Sequence, residues 1–419
     1  MIGDRNMATI RSATLALAAA LLLAAAARAA DDDLRAKALK LNEVTGEDAT
    51  KAKTVELLRN ADGTKKLLET AKAMLKEKEQ PFNVNATLIL ARAAHGLRQY
   101  DTSERFYRVN LNQALKLQSA PKIGTAYNGL SQMLFEAKKY AESQKVCQEF
   151  MELEADEQLA KDLEPYRVGA VRRLILSMVR QNDVDKAKDL LERLIKAQPE
   201  NWLNLELKAR VLREVNDFEG AVKVYETVLN RIEKDDRLTK EEKKDFAADI
   251  KYALSGVYID LEKVDKATEL LEGLLKDDPD NPTYNNDLGY ILADHDMKLD
   301  EAEKLIRKAL EEDRKLRKKE NPDLKPEDDK DNASYLDSLG WVLFKKKKYK
   351  EAVDYLKKAV QDEEGKHVEI YDHLGDAHWA LGEKKDAVEA WKKGVEVAGT
   401  TKREQTKKAE VEKKIKEKQ

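Results

Sequence analysis

The 419-residue sequence holds one cysteine, Cys147, so no internal disulfide can form. Proline (8) and glycine (17) are both scarce, which removes most of the residues that break helices or build tight turns. Neither charge dominates. Lys and Arg number 77, Asp and Glu 80, and the signs are interspersed, which argues against a generally basic, nucleic-acid-binding surface. Long apolar runs are absent beyond the first thirty residues, so no later segment reaches the roughly 20 residues a membrane-spanning helix needs. What remains is rich in Ala, Glu, Lys and Leu, a composition that favours helix, with enough hydrophobic residues (42%) to bury a core.

Motifs of chemistry are missing too. There is no G-x-x-x-x-G-K-[ST], G-x-G-x-x-G or G-x-S-x-G, so phosphate-cradling loops and a nucleophile elbow have no support. No H-E-x-x-H occurs, and among the five histidines His373 and His378 are five apart, a poor spacing for one helix face. We expect no metal, no cofactor and no catalytic residues. Cys147 falls at an apolar position and is expected to act as a small hydrophobe in the core.

The N-terminus is a separate object. Arg11 precedes "SATLALAAALLLAAAA", followed by a small-x-small site at Ala27-Arg28-Ala29. A basic start, a short apolar run and small residues at its end are the pattern of a cleaved secretory signal over 1–29. A retained anchor and an Ala-rich transit peptide are the alternatives. The pattern leads us to expect export, to the periplasm or cell envelope if the source is bacterial.

The rest of the chain repeats. Leu339-Gly340 is followed by Ala352 and Ala359; Leu374-Gly375 by Ala387 and Gly394; Leu288-Gly289 by Ala302 and Ala309, with one extra residue in the turn. Leu254-Ser255 leads to Tyr258, Ala267, Leu271 and Pro279 at the same offsets. Weaker units lie upstream, with Ser103 and Ser143 where the alanine is expected. Two polar insertions, "RIEKDDRLTKEEKKDF" and "DRKLRKKENPDLKPEDDKDN", lengthen two of the spacings.

These residues resemble the tetratricopeptide repeat family, whose pattern is roughly W-x2-L-G-x2-Y, A-x3-F, A and P over about 34 residues. The resemblance implies an all-α, right-handed superhelical solenoid of antiparallel helix pairs, with small residues letting the paired helices approach closely. Four segments follow: a signal over 1–29, a degenerate helical pair over 30–83, the repeat array over 84–398 and a charged C-terminal helix over 399–419 that caps it.

The family binds proteins or peptides on the concave face, lined by the first helices. Mapped residue by residue, the expected groove displays Tyr290, Asp337, Trp341, Phe344, Asp372, Asp376 and Trp379, with Arg172, Arg180, Glu206, Arg210 and Arg213 further upstream. Aromatics on a polar face suit peptide capture; the other reading is that Trp341 and Trp379 only pack between units. The family's carboxylate-clamping mode is disfavoured, because Asp337, Asp372 and Asp376 would repel an anion. Lys345 to Lys348 are expected to form a solvated corner between two helices rather than a polyanion site. The expected function is a non-enzymatic scaffold for a protein or peptide partner. The alternatives are an accessory subunit of an envelope-assembly or polysaccharide or protein export complex and, from other classes, an enzyme or a small-ligand sensor.

Overall fold

The computed structural model describes residues 28–77, 80–322, 324, 326, 329–399 and 402–418. Nearly all of the expected signal therefore lies outside the described residues. Among those described, every regular element is helical, and no helix is long and apolar enough to cross a membrane. Helix α1 covers 28–40. There follow α2 (Glu47–Leu58), α3 (Ala61–Glu77), α4 (Val84–Gly96), α5 (Tyr100–Lys116), α6 (Ala120–Glu136), α7 (Tyr140–Met151), α8 (Glu157–Arg180) and α9 (Val184–Ala197). The array then continues with α10 (Trp202–Glu214), α11 (Phe218–Lys234), α12 (Lys240–Asp260), α13 (Val264–Asp277), α14 (Pro282–Asp294) and α15 (Leu299–Glu320). It ends in α16 (Ala333–Lys345), α17 (Tyr349–Ala359), α18 (Val368–Ala380), α19 (Lys384–Val397) and α20 (Lys402–Lys418).

The chain divides into two compact units at Gln198/Pro199, a boundary that the repeat pattern does not mark. In the first unit α4 pairs with α5, α6 with α7 and α8 with α9; in the second the pairs run from α10/α11 to α18/α19. Each unit is thus a solenoid of antiparallel helix pairs. The two polar insertions are extended helix ends and loops. One runs from the end of α11 into α12, which opens with a Thr239/Glu242 capping box. The other lengthens α15 and folds back, so that Arg314 reaches Asp331 and Arg317 reaches Asp329.

Local chemistry sets the helix ends. Asn83, Asn201, Asn281 and Asn332 cap first helices by accepting from backbone N–H groups of the first turn. Each turn inside a pair ends the first helix in a left-handed residue: Arg98, Lys138, Asn182, Asn216, Glu262, Asp296, Lys347 and Gly382 have φ between 54° and 85°. The next N–H returns to a carbonyl five residues back, as in Lys348 to Leu343 and Glu383 to His378, which satisfies carbonyls that the helix end leaves open. Second helices such as α13 bury one stripe: Ala267, Thr268, Leu271 and Leu274. First helices bury more, because neighbours flank them on several sides. In α16 the buried set is Ala333, Tyr335 to Gly340, Val342 and Leu343.

Pairing rests on small residues. A Cβ placed on Gly289 would lie 2.7 Å from Ile306, on Gly340 2.5 Å from Leu356, and on Gly375 2.2 Å from Trp391. Across the interface Ala267, Ala302, Ala352 and Ala387 are fully buried, and so are Ser103 and Ser143 upstream. The two serines keep the small volume and satisfy their hydroxyls on first-helix carbonyls, Ser103 on Ala91 (2.9 Å) and Ser143 on Ser131 (2.8 Å).

Gly375→Ala should therefore destabilise the protein. The helix propensity gain is about 1 kcal/mol, while a methyl forced against an indole costs roughly 1–3 kcal/mol. The penalty should shrink in a Trp391→Phe background, read as coupling in a double-mutant cycle. Gly273, on α13 with nothing within 4 Å of its missing Cβ, is the control: Gly273→Ala should stabilise by about 1 kcal/mol.

Candidate functional site

In the second unit the first helices α10, α12, α14, α16 and α18 line a cleft of about 590 Å³. Its walls carry Arg213, Tyr252, Asp260, Asn286, Asp287, Tyr290, Asp294 and Asp337, together with Glu364 and His367 from the connection before α18 and Glu369 from its first turn. The register of the helices orders these groups. Residues three before the packing position form a column: Tyr252, Asn286, Asp337 and Asp372. Three of them reach the next helix along. The Tyr252 hydroxyl donates to Asp287 Oδ2 at 2.7 Å. Asp337 Oδ1 meets His373 Nδ1 at 2.8 Å. Asp372 meets Lys407 at 2.9 Å and Lys414 at 2.5 Å. Arg213 is engaged with Asp260 at 2.7 Å. Burial pushes the Asp287 carboxyl up from the usual range, against the pull of the Tyr252 and Asn286 donors.

Of the seven groove residues expected from the sequence, the cleft brings together Tyr290 and Asp337. Trp341 and Phe344 belong to the packing between units. Trp341 stacks on His373 (4.1 Å) and on Phe344 (5.0 Å), and its Nε1 donates to Asp294 Oδ1 at 3.0 Å. Asp372 was expected on an open face but is 3% exposed. The reason is α20, which docks beside α18 and α19 and brings Lys407 to Asp372 and Lys414 to both Asp372 and Asp376. Lys414 and Lys407 hold the Asp372 carboxyl below its usual range although burial opposes this. Trp379 packs 5.8 Å from Trp391, with Lys384 and Lys418 over its ring. Sequence reading missed Tyr252, Asn286 and Asp287. The signal available was the register itself, because all three sit two or three residues before the packing position of their helix.

The lysine run is more than a solvated corner. Lys345 binds the Asp294 carbonyl and Asp296, each at 2.9 Å, and Lys346 binds Asp300 at 2.5 Å and Glu303 at 2.7 Å. The run therefore clips one repeat to the preceding one. Burial disfavours charge on Glu303, yet bonds from Lys346 and Arg307 outweigh it and hold the carboxyl down at about 2. Cys147 is 1% exposed in α7, and burial pushes its thiol up, away from the reactive thiolate. His373 and His378 point to different partners, Asp337 and Glu383. His378, Glu383 and Asp386 bring one ligand atom each within 4.8 Å of one another, and Glu383 already holds the His378 ring at 2.5 Å.

Tetratricopeptide repeat family models match residues 173–236 and 252–316, then 332–362, then 368–401. The TPR repeat-containing protein PA4667 of Pseudomonas aeruginosa is 28% identical over 232 residues, which cover 53% of this chain and 34% of that protein. The chain thus spans about a third of the length of this curated relative. Among solved structures, a tetratricopeptide repeat protein from Parabacteroides merdae is similar over 67% of this chain and 95% of its own, at 14% identity and a TM-score of 0.45. BtubC from P. vanneervenii is similar over 54% and 91%, at 20% identity and a TM-score of 0.38. YrrB, described as a TPR protein with an unusual peptide-binding site, is similar over 53% and 97%, at 17% identity and a TM-score of 0.32.

The buried His373–Asp337 pair gives a pH test. Burial lowers the histidine's affinity for a proton, but the charge and hydrogen bond of Asp337 outweigh it and raise the pKa above 6.5. The stability from protonated His373 is therefore fully present below pH 6.5 and is lost as pH rises through the raised value. All four tryptophans lie in the second unit, so their emission reports its melting. The melting temperature should fall from pH 6 to pH 9. Asp337→Asn should cost about 1–3 kcal/mol at pH 6 and shrink that fall; an unchanged pH dependence in the variant would contradict the assignment.

Proposed function

Because the chain is a tetratricopeptide repeat protein, we propose that it is a non-enzymatic scaffold of the cell envelope that holds a protein or peptide partner in the cleft of its second unit. The observation that carries this reading is the cleft itself. Successive first helices supply it with two tyrosines, Tyr252 and Tyr290, among amide, carboxyl and hydroxyl groups. Tyrosines in such a setting bury much apolar area at little entropic cost, and polar neighbours fix the direction of an extended chain. The groups in the cleft hold one another across the helices, a polar lining that suits recognition of a bound segment. Export is the reading of the apolar run after Arg11 and the small residues at 27–29.

Affinity capture from an envelope extract tests the proposal. Wild type should retain a defined set of proteins, and Tyr252→Ala plus Tyr290→Ala should weaken that retention about tenfold or more while the second unit still melts cooperatively. N-terminal sequencing of the mature protein should begin after Ala29. Equal capture by both proteins would overturn the cleft assignment, and an intact N-terminus on a cytosolic protein would overturn the envelope assignment.

A further inference from the structure

We infer that the cleft of the second unit takes a cationic segment, an extended peptide whose lysine or arginine side chain enters between α12, α14 and α16. The inference rests on the cleft being the partner site, and it goes further by naming the charge of the ligand.

The first support is electrostatic. Six carboxyl groups line the cleft, Asp260, Asp287, Asp294, Asp337, Glu364 and Glu369, against Arg213 and the imidazoles of His295 and His367; with Asp260 paired to Arg213 and Asp337 to His373, the acidic groups still outnumber the basic ones. Lys345 and Lys346 are bound to Asp296, Asp300 and Glu303, and none of the Lys345 to Lys348 run lines the cleft. A cleft walled by one sign of charge concentrates counter-charged ligands and repels like-charged ones.

The second support is independent of charge. Asn286 is 6% exposed and lines the cleft, yet its Oδ1 has no hydrogen-bond partner among the described residues. Its Nδ2 donates to Asp287 Oδ1 at 3.1 Å, while the carbonyl oxygen is a buried acceptor without a donor, which a turn of the side chain would present to the cleft. A buried acceptor left unmade costs about 1–3 kcal/mol. Asn286 is also the exception in its column. Tyr252, Asp337 and Asp372 each bond a residue of the next helix, while this oxygen bonds none. The missing partner is a donor, and peptide N–H, ammonium and guanidinium groups all qualify.

The third support is a case within the same chain. At the equivalent position of α18, Asp372 with its neighbour Asp376 is occupied by two amines from α20, Lys407 and Lys414. The register position of Asn286 thus already captures lysine two repeats further on, at Asp372, while that of Asp287 holds His373 there. In the cleft, Asp287 would pair with the incoming cation and Asn286 Oδ1 would accept from it or from the adjacent peptide N–H.

Selection of a random dodecapeptide display library against the full chain tests the inference without presupposing a sequence. Peptides that bind wild type and lose binding to Tyr290→Ala report on the cleft. These should be enriched in Lys and Arg, and their affinity should fall with added salt. Asp287→Asn should weaken them at least tenfold, and Asn286→Asp, which adds a carboxylate at the open acceptor, should tighten them. Tryptophan-emission melts confirm that each variant is folded. Tyr290-dependent peptides without Lys or Arg enrichment would overturn the cationic assignment and leave the cleft as a peptide site. Recovery of no Tyr290-dependent peptide would overturn both.

Discussion

The structure depends on one contact, the close approach of two antiparallel helices at a glycine or alanine. Gly375 lets α18 lie against the indole of Trp391, and Gly340 and Gly289 do the same for Leu356 and Ile306. The second helix answers with a fully buried alanine, as at Ala352 or Ala387. A side chain such as Leu356 or Ile306 gains about 1.5–3 kcal/mol from full burial, and it gains this only because the facing position carries no Cβ. A single pair still leaves an apolar face open, so the same contact forces stacking.

Stacking then creates the polar architecture. Successive first helices lie side by side, and a residue three before one packing position reaches the residue two before the next. Tyr252 reaches Asp287, Asp337 reaches His373, and Asp372 reaches the lysines of α20. The cleft is a consequence of this order and not an added feature. It sits where first helices present polar residues between apolar layers, and its groups are held by neighbours before any partner arrives. The C-terminal helix fits the same logic. It takes the place of a further first helix, contributes Val411 to the last hydrophobic cluster and pairs with Asp372 and Asp376 of α18.

Much of the fold was legible in the sequence because the constraint on it is local and periodic. Leu-Gly and alanine at fixed offsets mark the packing positions, and the polar insertions mark the extended ends of α11 and α15. The break at Gln198/Pro199 left no such mark. The groove was legible only in part. The family pattern placed the expected residues on first helices but could not show which of their side chains a neighbouring helix would claim. Trp341 was taken by His373 and Phe344, and Asp372 by α20, because partners 36 to 42 residues away in the chain, His373 for Asp337 and Lys414 for Asp372, are invisible to a reading of one repeat at a time. Asn286 and Asp287 had no chemical signature of their own and became visible only through the register.

In the proposed mode of binding, the first helices of the second unit, and not the second helices packed behind them, meet the partner. Hydrogen–deuterium exchange on the chain alone and with its captured partner tests this most directly. Added protection is expected over α12, α14 and α16, concentrated at 252–260 and 284–295, with α13, α15 and α17 unchanged. Protection confined to those second helices or to α20 would contradict it.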